Sequence, residues 1–475
     1  MISNYEMVVG LEVHVELKTE TKIFCSCSTA FGAEPNTQVC PVCMGMPGTL
    51  PVLNEKVVEY AVKVGIATNC SITRNSKQDR KNYFYPDLPK AYQISQFDLP
   101  LCQNGYLDIE TEQGTKRIGI TRIHIEEDAG KLIHDLEKGT MIDCNRCGVP
   151  LIEIVSEPDI RSAQEAKAYV QKLRTVMLYA GVSDCKMNEG SLRCDVNLSV
   201  RRKGDNNFGV RTEMKNINSF QFIGKAIEYE FSRQVEAIER GEPIIQETRR
   251  FDADDGKTYS MRLKESLSDY RYFPEPDLCP IVLSEEYINE VKKTIPTLPD
   301  ERKAIYIEKY NLSKSDGEVL TSDIAIADYF ECAAEKTAYP KLVANMIQAE
   351  IMAVTETDNF KCNINPEHMA ALADMAGENI INSATVKKLI KRMWEKDFDP
   401  VRVVEEEKLQ QINDESAILE WVEKAIAENP KSVADYKKGK KTAAKAVIGK
   451  VMAASGGKAN PIIVQKLVER ELGKI

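Results

Sequence analysis

Val8-Val9-Gly10-Leu11-Glu12-Val13-His14-Val15-Glu16-Leu17 is the stretch on which the fold turns. Leu11, Val13, Val15 and Leu17 fall on one side, and Gly10, Glu12, His14 and Glu16 on the other, which is the two-residue period of a half-buried strand. One face is core; the other is solvent or chemistry. A carboxylate, an imidazole and a second carboxylate in a row are ordinary on a solvated edge, but they also suit a hard cation or a general base. A working site would need partners from other strands.

Those strands are readable downstream. Gly119 to Asp128 runs Gly-Ile-Thr-Arg-Ile-His-Ile-Glu-Glu-Asp. Ile118, Ile120, Ile123 and Ile125 cannot share a face unless the chain bulges near Thr121, because the parity changes between Ile120 and Ile123. Arg122, His124 and Glu126 then face together. Val149 to Glu157 places Glu153 inside an apolar run, and a charge there is costly unless it is paired or metal-bound. Leu192, Cys194, Val196, Leu198 and Val200 alternate with Arg193, Asp195, Asn197 and Ser199, and Arg211, Glu213 and Lys215 line up on a further strand. A mostly antiparallel sheet with one charged concavity accounts for all of them.

Between the strands, Asn54–Thr68 and Ala163–Ala180 read as helices. Cys25-Ser-Cys27, twelve residues, then Cys40-Pro-Val-Cys43 is a spacing that closes a tetrahedral site for a structural zinc; reduced core cysteines are the plainer alternative. Cys144-Asn-Arg-Cys147 has no second pair near it and is not read as a ligand pair. Arg80 to Tyr92 interleaves basic and aromatic residues with two prolines, as in a loop that meets a nucleotide or RNA end, or as plain aromatic packing. Arg249, Arg250, Arg262, Lys264 and Asp269–Asp277 would close the same region. From Pro296 the pattern turns helical, with a capping box expected at Ser315–Glu318 and a cap at Asn365-Pro366. His368 reads as a surface residue. From Lys431 onward eleven cations, Lys437, Lys438, Lys440, Lys441, Lys445 and Lys450 among them, outnumber three acids by eight in a chain whose net charge is −10. A basic tail on an acidic protein suits a polyanionic partner, although a solvated lysine-rich surface would look the same.

At 475 residues and 43% hydrophobic, the chain should divide into two to four domains. With no bilayer-length apolar run and no signal-like N-terminus, the chain is expected to stay in the cytoplasm, and thirteen cysteines are an odd number for a secreted disulfide framework.

Gly10-Leu-Glu-Val-His14, Phe31–Asn36, Arg80–Asp87, Glu126-Glu-Asp-Ala-Gly-Lys131, Leu151–Asp159, Gly190–Asn197 and Asp269–Asp277 together resemble the B subunit of the tRNA-dependent aspartyl/glutamyl amidotransferases. The likeness runs the full length; Cys144 and Cys147 depart from it. It implies an α+β fold: a cradle domain with a glutamine-synthetase-like, mostly antiparallel catalytic sheet and the zinc loop (1–294), an all-α helical domain (295–405) and a small basic helical tail domain that binds tRNA (406–475). It further implies ATP-dependent phosphorylation of the side-chain carboxylate of Glu on tRNA(Gln) or Asp on tRNA(Asn), followed by transfer to ammonia. By motif, His14, Glu127 and Glu153 would hold Mg²⁺. Glu12 and Glu126 would stand beside them, with Asp195, Glu213 and Lys215 on the nucleotide side.

No G-x-x-x-x-G-K-[ST] phosphate loop occurs, so the site would be borne on the sheet. Nor does the chain offer a glutaminase: its four histidines are isolated or already spoken for, and no serine-lysine amidase signature stands out. The resemblance supplies ammonia from an amidase A subunit, with a small C subunit completing a heterotrimer. The other function class open to this sequence is a tRNA-binding adaptor without catalysis.

Overall fold

The computed structural model describes residues 4–135, 137–263, 270–355, 360–437 and 440–474. They form two compact units, Met1–Pro299 and Asp300–Ile475. Lys264, Asp269 and Lys438, and the side chains of Arg262 and Lys437, lie outside the described residues.

The first unit is built on a nine-stranded sheet. Its strands, in chain order, are β1 (Tyr5–Glu16), β2 (Ser71–Ile72), β3 (Cys102–Thr111), β4 (Gly114–Glu127), β5 (Pro150–Ser156), β6 (Leu192–Arg202), β7 (Thr212–Lys215), β8 (Glu247–Phe251) and β9 (Thr258–Leu263). Their order across the sheet is β9-β8-β7-β6-β1-β5-β4-β3-β2. All neighbours are antiparallel except β7 and β8. The opening stretch is therefore the central strand, and its alternation is real: Leu11, Val13 and Val15 are buried, while Glu12, His14 and Glu16 are partly open.

Three helices cover the apolar face in a single core: α1 (Glu55–Ala67), α2 (Ala163–Ala180) and α3 (Phe220–Glu239). Each starts where a polar side chain accepts an otherwise orphaned amide: Asn54 from Lys56, Ser162 from Glu165, Ser219 from Phe222. The bulge falls at Thr121: Arg122 pairs with Val155 and Ile120 with Ser156, leaving one extra residue between them. This resets the phase, so Ile118, Ile120, Ile123 and Ile125 are all buried.

One stretch differs from its sequence reading. Asp79–Asn82 is a strand, paired with Tyr92–Ser95 on one side and with Phe273–Pro274 on the other. Only beyond Asn82 does the chain become the expected loop, with Phe84 and Tyr85 exposed.

The second unit is helical among its described residues and holds two separate apolar clusters. One includes Tyr306, Phe330, Leu389 and Met393, the other Ile418, Val447, Val451 and Leu467. The capping box near residue 315 is formed two residues earlier than expected, by Ser313 and Asp316, because Ser313 has the extended backbone a cap requires. His368 is not a bare surface histidine; its Nδ1 lies 2.9 Å from Asp397. Lys440, Lys441, Lys445 and Lys450 are exposed.

Glu230 of α3 fixes the strands that carry the right-hand side of the polar face. It is fully buried and accepts from Thr212 of β7 (3.0 Å), Thr258 of β9 (2.8 Å), Gln234 (2.9 Å) and Arg233 (2.7 Å). Burial alone would raise its pKa, but the hydrogen bonds and charge of Arg233 outweigh it and hold the carboxyl below the usual range. Its contribution is therefore complete above about pH 4.3, the ordinary glutamate value, and is lost as pH falls through the lower native value. Amide exchange at Thr212–Lys215 should accelerate in that window. Glu230→Gln should remove the pH dependence and cost about 1.5–3 kcal/mol at neutral pH, as for a hydrogen bond to a charged group.

Candidate active site

Strand register assembles the polar face. Across β6, β1, β5 and β4, Arg193 lies opposite His14, His14 opposite Glu153, and Glu153 opposite His124. Two residues along, Asp195, Glu12, Val155 and Arg122 make a second row, and two further along Asn197, opposite Gly10 of β1, pairs with Glu213 of β7. No pair in these rows is local in sequence; the sheet alone brings them together.

In the first row Oε2 of Glu153 lies 3.4 Å from Nε2 of His14 and 3.5 Å from Nε2 of His124, which is itself 3.7 Å from Glu126. One donor atom each from His14, Glu126 and Glu153 lies within 4.8 Å of the others, so the three could hold one metal ion. Burial pushes Glu153 toward neutrality, but the charge of His124 and the hydrogen bond from His14 outweigh it and keep the carboxyl well below its usual range. For His14 burial works downward, and Glu153 and Asp195 reverse it, so the imidazole is raised. Nδ1 of His124 and Oδ1 of Asn197 are buried without a hydrogen-bond partner among the described residues, so the site has polar capacity its own side chains leave unfilled.

The geometry departs from the expected ligand set at one residue. Glu127 does not join His14 and Glu153; Glu126 does. Successive residues of a strand face opposite ways, and Glu127 points to the far side, where Lys90 pairs with it and the amide of Ile94 donates at 2.8 Å. The residues expected on the nucleotide side do converge. Nζ of Lys215 is 2.7 Å from Asp195 and 3.6 Å from Glu213, Thr248 donates to Glu213 at 2.9 Å, and Asn197 donates to Glu12 at 2.9 Å. Burial lowers the Lys215 ammonium, and its two acids more than restore it, so it stays charged.

A cavity of about 540 Å³ opens on this face, lined by Glu12, His14, Glu153, Glu213 and Lys215. Glu126 sits behind its wall. The cavity also exposes groups not singled out from sequence as site residues: Lys81, Arg122, Arg211, Gln96, Tyr270 and Tyr272. Lys81 reaches Glu126 at 3.6 Å and lies over the Tyr83 and Tyr270 rings, while Phe97 stacks on Tyr272 at 4.3 Å. Burial and the nearby acids push the Tyr272 hydroxyl up to about 12 against the opposing pull of Lys81, so it remains a hydrogen-bond donor. Lys81 stands in the aromatic-basic stretch from Arg80, but its place in this cavity follows from the pairing of its strand, which the sequence does not show.

On the far side, Cys25, Cys27, Cys40 and Cys43 offer four sulfurs within 4.8 Å of one another and could hold a metal such as zinc. Cys144 and Cys147 are buried and belong to neither cluster among the described residues.

A sheet of this order bearing a histidine–carboxylate cluster beside fixed cations defines a class, and sequence comparison gives it a family. Residues 7–289 match the family described as the GatB/GatE catalytic domain, and residues 328–472 the GatB domain. The chain is 56% identical to the B subunit of the aspartyl/glutamyl-tRNA(Asn/Gln) amidotransferase of Caldicellulosiruptor saccharolyticus, over 99% of this chain and 100% of that one. The proteins of the same name from Caldanaerobacter subterraneus and Lachnospira eligens are 53% and 52% identical, again over 99% and 100%. The chain belongs to the family of B subunits of these ligase-type tRNA amidotransferases.

The exchange of Glu127 for Glu126 is checked by titrating Mn²⁺, in place of Mg²⁺, into two variants. Glu126→Gln should weaken binding by more than the about 10–100-fold that follows loss of an outer-shell partner. Glu127→Gln should cost far less and instead hasten amide exchange at Ile94. The reverse pattern would restore Glu127 as the ligand.

Proposed function

We propose that this chain phosphorylates the side-chain carboxylate of Glu on tRNA(Gln), Asp on tRNA(Asn), or both, with ATP, and transfers the activated acyl group to ammonia. The observation that carries this reading is the company kept in one cavity: His14 and Glu153, with Glu126 beside them, share it with the cations Lys81, Arg122, Arg211 and Lys215. Acids beside cations suit a metal–triphosphate better than either charge alone.

Ammonia cannot displace oxide from a carboxylate, so the oxygen must first become a phosphate leaving group. Mg²⁺ bound to His14, Glu126 and Glu153 would neutralise charge on the phosphoryl oxygens. Lys81 and Lys215 would bind phosphate oxygens. Asp195 and Glu213 hold Lys215 charged and oriented, while Glu12, fixed by Asn197, faces the same space. Tyr270, Tyr272 and Phe97 wall the cavity and would keep water from the acyl phosphate. The unpartnered His124 and Asn197 atoms leave room for such a ligand set.

Zinc would tie the Cys25–Cys43 loop together in a closed four-sulfur site that leaves no open position for catalysis. Ammonia would come from an amidase A subunit, assembled with a small C subunit, since no glutaminase signature stands out in the sequence. The lysines from Lys431 onward would hold tRNA phosphates.

Reconstitution tests the whole reading. The isolated chain should show no glutaminase activity and should amidate mischarged tRNA from glutamine only when the A and C subunits are added. High ammonium should partly replace the amidase. In the complex, His14→Ala or Glu153→Gln should lower ATP-dependent activation at least about a hundredfold without releasing tRNA. Removing residues 431–475 should raise the KM for tRNA and flatten its salt dependence, with little effect at saturating tRNA. An adaptor without catalysis would leave activation untouched in the first two variants.

A further inference from the structure

Lys22 is a fully buried cation with no buried acid of its own. Its relative exposure is 0%. The ammonium donates to the carbonyl of Gln38 at 2.7 Å and to that of Cys144 at 3.5 Å, and it lies 3.7 Å from Sγ of Cys43. Among the described residues it makes no ion pair with a carboxylate. Glu127 lines the same small cavity, but its Oε1 already receives Lys90 and the Ile94 amide.

A buried ammonium whose partners are two carbonyls and a sulfur is expensive, unless that sulfur supplies the counter-charge. The sulfur beside it also accepts a second donor, the backbone amide of Cys40 at 3.2 Å. Two N–H donors on one sulfur suit a thiolate, since a thiol is a weak acceptor; a thiol there would instead donate to the Cys40 carbonyl at 3.5 Å. Four thiolates around one divalent zinc carry two net negative charges, which is the counter-charge Lys22 lacks.

We infer that Lys22 is the charge partner and sulfur hydrogen-bond donor of a zinc tetrathiolate at Cys25, Cys27, Cys40 and Cys43, and that it slows loss of the metal. This rests on the reading of that cluster as a zinc site. Lys22 is a positioning residue: it touches a ligand and not the metal. Its carbonyl contacts also clip the loop before Cys40 to the turn at Cys144, so the electrostatic role has to be separated from the clip.

The full chain is compared with Lys22→Met, which removes charge and hydrogen bonds, and Lys22→Gln, which keeps a neutral donor. Metal content is measured first; a wild-type chain purified reduced and without chelator that holds no zinc overturns the zinc reading and this inference with it. With zinc present, its release to a chromogenic chelator should be about 10–100-fold faster in both variants, the range for lost outer-shell partners. Melting should shift down in the zinc-loaded variants and up, or not at all, in the zinc-free ones, since an unpaired buried charge has been removed. Equal release rates in all three chains, or equal destabilisation with and without zinc, would leave the zinc site intact and overturn the role given to Lys22. If the zinc-free chains do not stay folded, cobalt-loaded protein supplies the second readout. Its sulfur-to-metal band should move to longer wavelength in both variants, and an unchanged band with unchanged release counts against Lys22.

Discussion

The carboxylate of Glu153, near the middle of a nine-stranded sheet, is the group the rest of the polar face answers to. A charge on a nearly buried strand is tolerated only when cations or donors surround it. Here two histidines from the flanking strands, His14 and His124, lie within 3.5 Å of one oxygen, and Lys81 adds positive charge from a different sheet. His124 and Lys81 are in turn held by Glu126, at 3.7 and 3.6 Å, while Asp195 in the next row draws on His14. Interspersed signs let one face carry many charges, and they suit a ligand that is itself part cation and part anion.

Periodicity made the centre of this design legible. Alternation in Val8–Leu17 identified a half-buried strand, the isoleucine parity located the bulge at Thr121, and the lone Glu153 in an apolar run marked an acid in need of partners. The helices at Asn54–Thr68 and Ala163–Ala180 were equally plain because caps and apolar stripes agree. The pair Glu126–Glu127 is instructive: strand parity grouped Glu126 with His124, as the structure does, whereas the likeness to a family motif favoured Glu127 as a ligand. The local rule was the better guide, because two adjacent glutamates are chemically identical and differ only in the face they occupy.

What stayed hidden depends on long-range pairing. Lys81 reaches the site because Asp79–Asn82 pairs with Phe273–Pro274, almost two hundred residues away, which positions Tyr270 and Tyr272 beside it. No window of sequence carries that information. Lys22 was passed over for a related reason: a single lysine between Thr21 and Ile23 has no periodic signature, and its burial follows from the loop that folds over it. In the helical unit, composition told of the basic tail but not of its geometry, since exposed lysines obey no packing rule.

Glu126 and Glu127 share a peptide yet serve opposite sides of the sheet, one with the histidine–acid cluster and the other with the lysine beside the cysteine loop. A chain whose β4 slid so that Glu127 took the place of Glu126 would bring Asp128 to the place of Glu127, and would pass for correct by composition. The four isoleucines would not forgive the slip, because they would turn outward together. The apolar side of the strand thus acts as the proofreader of the polar side, and the extra residue at Thr121 is the mark against which the register is read.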